Sequence, residues 1–170
     1  MKSTSLLVFT LVFVALGCQS AEDKALAEFE VQSDRMDVLA TDYPSLGPCL
    51  RKIQRDREGN FTLAMRQEGE ERLNRLLALN QQTGNLVNRL DSLPVRRKEF
   101  VQLLDSLVSQ QNLPFRDYDR LRKAEEEMDW AWRVLMEEGV RGRDCEQTLE
   151  EHYQRAVGAL QVAQELGAIE

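Results

Sequence analysis

Apolar residues recur at intervals of three and four along most of this 170-residue chain, and this spacing restricts its fold more than any other feature. The longest example is a seam of the kind found in antiparallel or coiled-coil pairs: Leu73, Leu76, Asn80, Thr83, Val87 and Leu90. The chain has only 4 prolines and 9 glycines, and no stretch alternates convincingly with the period of two expected of a strand. The sequence therefore predicts an all-α protein, and the short breaks favour an elongated antiparallel bundle of four to six helices.

The breaks between the helical segments are marked by proline, glycine and capping residues. Two prolines and a glycine within residues 43–48 should stop the first helix, and residues 59–60, Gly-Asn, should interrupt the second. The prolines of residues 93–94 and 113–114 should end the long third segment and open a further helix. Asp144 stands three residues before a glutamine, the spacing of a capping box, so the last helix is predicted to start there.

The first 17 residues have the features of a cleaved export signal. Lys2 supplies a minimal positive charge, and the apolar run of residues 6–16 is too short to span a bilayer comfortably. The sequence Ala15-Leu16-Gly17-Cys18 resembles the lipobox of bacterial lipoproteins, in which the cysteine is acylated and becomes the first residue of the mature chain. The resemblance implies lipidation at Cys18; an ordinary secreted protein and a retained membrane anchor are the alternatives.

The lipobox resemblance also implies a location in the cell envelope, since several acyl chains on one residue hold a protein stably to a membrane. Gln19 is not the aspartate that retains such lipoproteins in the inner membrane, so the outer membrane is favoured over the inner one. We expect a signal peptide over residues 1–17, a lipidated N-terminus and short tether over residues 18–24, and a single helical domain over residues 25–170.

The charge of the chain restricts its partners. The formal net charge is −7 at pH 7, and the sequence contains no long basic cluster. Nucleic acids and anionic lipid headgroups are bound chiefly through lysine and arginine. We therefore expect no nucleic-acid partner, contact with the membrane through the lipid on Cys18, and an envelope protein as the partner of the helical domain.

Cys49 and Cys145 remain as an even pair once Cys18 is assigned to the lipid. Each follows a break and stands at the start of a predicted helix. A structural disulfide between them is favoured over unpaired thiols, and over a redox-active or metal-binding pair, because no C-x-x-C spacing is present.

Few residues are candidates for chemistry. His152, the only histidine, is accompanied by no G-x-S-x-G elbow, so it is predicted to be a solvated helix residue. The glutamate runs lie near arginines and lysines and predict salt-bridged surface rather than a carboxylate pair. The methionines, at helical spacing, predict core packing rather than a soft-metal site. The sequence thus predicts no catalytic residue, no metal and no cofactor.

Trp130 and Trp132 are the most informative aromatic residues. Positions two apart on a helix differ by about 200° in direction, so both cannot lie on one apolar stripe. Trp132 is predicted to share the core face with Leu121, Met128 and Leu135. Trp130 should point away from that face, either beneath a second layer of helices or as an exposed aromatic of the kind that anchors interfaces. Trp130 is therefore the candidate interaction residue.

Residues 123–130, KAEEEMDW, resemble a stretch near the end of small helical, coiled-coil lipoproteins of bacteria. That family has no settled activity, so the resemblance implies fold and location and transfers no site. The first hypothesis is a non-enzymatic envelope lipoprotein that acts as a helical scaffold or protein-interaction module. The alternative is a periplasmic helical bundle that binds a small ligand or a metal, and an enzyme ranks third.

Overall fold

The computed structural model describes residues 20–109, 113–140 and 144–168. These residues form five α-helices and one π-helical segment, and none of them lies in a strand. In chain order the elements are α1 (Ala21–Asp42), α2 (Gly47–Ala64), α3 (Gly69–Ser109), α4 (Phe115–Trp132), the π segment (Arg133–Glu138) and α5 (Cys145–Gly167). The prediction of an all-α bundle is confirmed.

The 41-residue helix α3 is the axis of the molecule. At 1.5 Å per residue its length is about 60 Å. Its first half packs against α1, where Asn80 Nδ2 donates a hydrogen bond to the Ala25 carbonyl at 2.7 Å. Its second half packs against α5, where Gln164 Nε2 donates to Glu99 Oε1 at 2.7 Å. Two three-helix bundles, α1–α2–α3 and α3–α4–α5, therefore share one continuous helix and form a rod.

α1 runs parallel to the first half of α3. Arg72 Nη1 lies 3.1 Å from Glu22 Oε1 near the start of both helices, and Arg35 pairs with Asp91 further along. α2 connects the end of α1 to the start of α3 and so runs in the opposite direction. Ser20, which caps α1, therefore lies at one end of the rod. We call the opposite end the tip; it is formed by Ser109, Phe115 and Gly167.

The two bundles are joined at a waist, which comprises residues 43–49, residues 133–140 and Cys145. Here Cys49 and Cys145 are buried and disulfide-bonded, with their Cα atoms 5.8 Å apart, as the sequence predicted. Ser45 Oγ donates a hydrogen bond to the Met136 carbonyl at 2.8 Å. Gly139 has a φ of 78°, and a Cβ at this position would lie 2.3 Å from the Ser45 carbonyl oxygen. Only glycine therefore fits this contact between the bundles.

Two predicted helix breaks are wrong. α3 continues through Pro94, although an internal proline costs about 3 kcal/mol, because the buried side chains of Leu93 and Phe100 hold the helix on both sides of it. α2 likewise continues through Gly59 and ends at Ala64. An internal glycine costs only about 1 kcal/mol relative to alanine, which the packing of Ala64 in the core offsets.

The predicted start of the first helix and the predicted cap of the last helix also need correction. α1 begins at Ala21, inside the range expected to be a tether, because Ser20 and Asp23 form a reciprocal capping box. Ser20 Oγ accepts a hydrogen bond from the Asp23 backbone N–H at 3.0 Å. At the last helix, Asp144 is the N-cap residue, but its side chain makes no capping hydrogen bond. The predicted capping box there is absent.

A buried arginine joins α2 to α1. Arg57, only 4% exposed, donates from Nη2 to the Phe29 carbonyl at 2.7 Å and from Nη1 to Ser33 Oγ at 2.8 Å. Its guanidinium carbon also lies 3.8 Å from the centroid of the Phe29 ring. Burial lowers the pKa of Arg57 to about 10. The sequence does not single out Arg57, because one arginine in a pattern of 3.6-residue period looks like an interruption of the apolar stripe.

None of the helices in the described ranges combines the length and apolar character needed to cross a membrane.

Candidate interaction face

α4 and α5 pack against each other in opposite directions and leave a groove of about 420 Å³ between them. We call it the α4–α5 groove. Its lining comes from these two helices: Arg120, Lys123, Ala124, Glu127, Arg155, Gly158, Ala159 and Val162. The groove therefore lies in the bundle that is further from Ser20.

The floor of the groove is apolar and made of small side chains. Ala124 and Ala159 are buried beneath it, while Gly158 and Val162 are half-buried. An ideal Cβ on Gly158 would meet no heavy atom within 4 Å. The packing of this chain therefore does not itself require glycine at this position, and the space above Gly158 is open to another group.

An ion pair spans the groove near each of its ends. Toward the tip, Arg120 Nη2 of α4 lies 2.9 Å from Glu165 Oε2 of α5. Toward the waist, Glu127 Oε2 of α4 lies 3.2 Å from Arg155 Nη1 of α5. From the tip to the waist, α4 therefore carries a basic and then an acidic side chain, whereas α5 carries an acidic and then a basic one. Solvent-exposed pairs of this kind contribute about 0 to 1 kcal/mol each to folding stability.

Trp130 extends this surface at the waist end of the groove. The Arg155 guanidinium lies 4.4 Å from the centroid of the Trp130 ring, and the indole packs edge-on against His152 with ring centroids 4.6 Å apart. The sequence left two possibilities for Trp130, cover by a second layer of helices or exposure, and the structure shows the second: 37% of the residue is exposed, although His152 of α5 contacts one side of the indole. Tryptophan and arginine are both enriched among interface hot spots.

Trp132 packs against the buried core that contains Leu121, Met128 and Leu135, as predicted, but it lies at the edge of that core rather than at its centre. The stripe of α4 passes through Met128 and Ala131, and Ala131 is fully buried where Trp132 was expected. Trp132 flanks the stripe and is half-buried, with the Arg97 guanidinium of α3 4.5 Å from its ring centroid. A 100° step per residue leaves adjacent positions hard to separate on a broad apolar face, so the sequence does not distinguish the centre of the stripe from its edge.

His152 is buried rather than solvated, which corrects the sequence prediction. It is only 7% exposed, and its Nδ1 has no hydrogen-bond partner within the described parts of the chain. Burial lowers the pKa of the His152 imidazole below its ordinary value of 6.5, and the positive charge of Arg155 lowers it further. A pKa below 6.5 leaves most of the imidazole neutral at pH 7, and the ring packs against Trp130. A signal was present in the sequence, since His152 lies three residues after Leu149 and four before Ala156, both in the core.

The remaining predicted residues fall elsewhere. Cys18, which the lipobox resemblance marks for acylation, lies outside the described residues. Cys49 and Cys145 are at the waist and form no part of the groove. Within residues 20–109, 113–140 and 144–168, no group of three or more His, Cys, Asp or Glu side chains is arranged to hold a metal ion.

No protein-family model, curated protein or solved structure matches this chain.

Proposed function

We propose that this chain is a non-enzymatic, lipid-anchored protein of the cell envelope, whose helical rod serves as a scaffold or protein-interaction module. The observation that carries the proposal is the separation of its two candidate contacts. The capped start of α1 at Ser20 is two residues from Cys18, at one end of the rod. The α4–α5 groove and Trp130 belong to the other bundle, beyond the waist. A lipid at Cys18 would thus leave this face free to meet a partner.

The anchor is tested by the variant Cys18→Ser. We expect the wild-type protein to carry acyl chains on an N-terminal Cys18 and to enter the detergent phase on phase separation, because several acyl chains bind membranes stably. The variant should stay in the aqueous phase. Intact-mass measurement of both proteins identifies the processed N-terminus. Recovery of the wild type in the aqueous phase, or of the variant in the detergent phase, would contradict lipid anchoring.

The interaction face is tested by the variant Trp130→Ala. Truncating an aromatic hot spot costs about 2 kcal/mol or more of binding free energy, so the variant should lose about thirtyfold in affinity for the partner recovered with the wild type. The measurement is affinity capture of the full chain from detergent extract, with titration of the recovered partner. Phe115→Ala is the matched control, since Phe115 is an exposed aromatic at the tip and away from the groove.

Thermal melts of the same proteins separate binding from folding. Trp130 is only partly covered, so Trp130→Ala should melt close to the wild type. If Trp130→Ala keeps the partner as well as Phe115→Ala does, the face is not the interaction surface. If it unfolds at much lower temperature, Trp130 is a core residue instead.

A second candidate function is the binding of a small amphiphilic anion. The groove has an apolar floor, and its lining includes the cationic side chains of Arg120, Lys123 and Arg155 beside the single carboxylate of Glu127. A volume of about 420 Å³ is within the range of ligand sites, roughly 300 to 1,000 Å³. Mass spectrometry of an organic extract of the purified protein distinguishes the candidates: a bound small molecule that is lost in Gly158→Leu supports this one.

A further inference from the structure

We infer that a second copy of this chain covers the α4–α5 groove. This inference rests on the proposed function, because it names the partner of the interaction face proposed there. The exposed surface consists of two antiparallel helices with open space between them. When two such helix pairs lie face to face, they form a four-helix bundle in which each pair covers the exposed groove of the other.

The charges at the two ends of the groove favour a second copy of this chain as its occupant. α4 carries Arg120 toward the tip and Glu127 toward the waist, whereas α5 carries Glu165 toward the tip and Arg155 toward the waist. The face is thus complementary to itself when α4 of one copy lies against α5 of the other. An interface between identical subunits must have this property, because a two-fold axis brings the same patch from both subunits together.

The arrangement we propose has both rods pointing in the same direction, with the two-fold axis along the rod. Arg120 then faces Glu165 of the partner subunit, and Glu127 faces Arg155 of the partner subunit. Each ion pair that spans the groove becomes part of a square of four alternating charges. This orientation also places both Ser20 ends on the same side, as two chains anchored in one membrane require.

The centre of the interface is the apolar floor at Gly158. An ideal Cβ at Gly158 meets nothing within 4 Å beyond its own helix and chain neighbours, so a leucine side chain there would extend into the groove that the second copy fills. Gly59 on α2 is equally open and gives a matched control. The two glycines lie in different bundles, so the same substitution at both separates an effect on the groove from a general effect of replacing a helical glycine.

The first experiment measures self-association of the full chain by sedimentation velocity, in nonionic detergent with micelles in large excess over protein. We expect the wild type and Gly59→Leu to form a dimer and Gly158→Leu to dissociate at least about thirtyfold more readily, the loss that a disrupted interface centre produces. A monomeric wild type, or a Gly158→Leu variant that dimerises as the wild type does, overturns the inference.

The second experiment tests the charge pattern and the orientation. In Arg120→Glu all four charges at the tip end of the dimer are negative, and in Glu165→Arg all four are positive, so neither variant should dimerise well by itself. Mixed together, each supplies the charge that the other lacks across the interface, and a heterodimer should form. Absence of a heterodimer, with both variants folded by thermal melt, rules out the proposed arrangement.

The outcomes of these experiments distinguish failure of the self-association inference from failure of the proposed function. If the wild type is monomeric but Trp130→Ala still releases an envelope protein, the interaction module stands and the second copy is rejected. If the wild type dimerises through the groove but Cys18→Ser still enters the detergent phase, the self-association stands and the lipid anchor is rejected.

Discussion

Replacing both Cys49 and Cys145 with alanine should lower the free energy of unfolding by about 4 to 5 kcal/mol. The bond links residues 96 apart in sequence, so breaking it returns the conformational freedom of a long loop to the unfolded chain. That loss is comparable with the whole net stability of a typical domain, about 5 to 15 kcal/mol. The disulfide is also the covalent connection between the start of α2 and the start of α5, so its loss should loosen the waist.

Guanidinium denaturation of the wild type and the double variant gives this difference directly. Reduced wild type should unfold like the variant, and Cys18→Ser should leave the midpoint unchanged because residue 18 takes no part in the bridge. Titration of two free thiols in the unreduced, denatured chain would show that the bond does not form. An unchanged midpoint for the double variant would show that the waist is held by packing alone.

Replacing Arg57 with alanine should lower the free energy of unfolding by about 2 to 4 kcal/mol. Arg57 makes two buried, charge-assisted hydrogen bonds to α1, one to the Phe29 carbonyl and one to Ser33 Oγ, and each bond of this type is worth about 1.5 to 3 kcal/mol. The substitution also removes the guanidinium that stacks on the Phe29 ring and leaves a cavity between α1 and α2. The cost of burying the positive charge offsets part of these gains.

Two further variants show which of these effects dominates. Arg57→Met keeps most of the side-chain volume without the charge, so it should be less destabilising than Arg57→Ala. Arg55→Ala changes an exposed arginine of the same helix and should alter stability by no more than about 0.5 kcal/mol. Thermal and denaturant unfolding of the three variants provide the comparison. A stability loss for Arg57→Ala as small as that for Arg55→Ala would show that the hydrogen bonds to α1 contribute nothing.

The prediction of the disulfide succeeded because it needed only the number of cysteines and their positions at predicted helix starts. An even pair of cysteines, each at the start of a predicted helix, is visible in the sequence, and the structure brings the two Cα atoms within 5.8 Å. The helical class followed in the same way from the spacing of apolar residues. Both properties depend on residues close together in the chain or on simple counting.

Positions at the edge of an apolar stripe could not be placed with the same accuracy. His152, Trp130 and Trp132 each lie within about 100° of the centre of a buried face, and the neighbouring helix decides whether such a residue is covered. The same holds for Pro94, whose local cost is outweighed by core contacts on both sides that the sequence does not reveal. Tertiary packing overrode the local preference in these cases.

The sequence by itself determined the helical class, the cysteine pair and the resemblance of its first residues to a lipobox. Only the tertiary structure decided that one helix serves both bundles and that Arg120 meets Glu165 while Glu127 meets Arg155 across the groove. Helix formation depends on the side-chain period within a segment of the chain, whereas a groove depends on which two segments pack together and in which direction. Residues 28 and 45 apart in sequence become neighbours only through that packing.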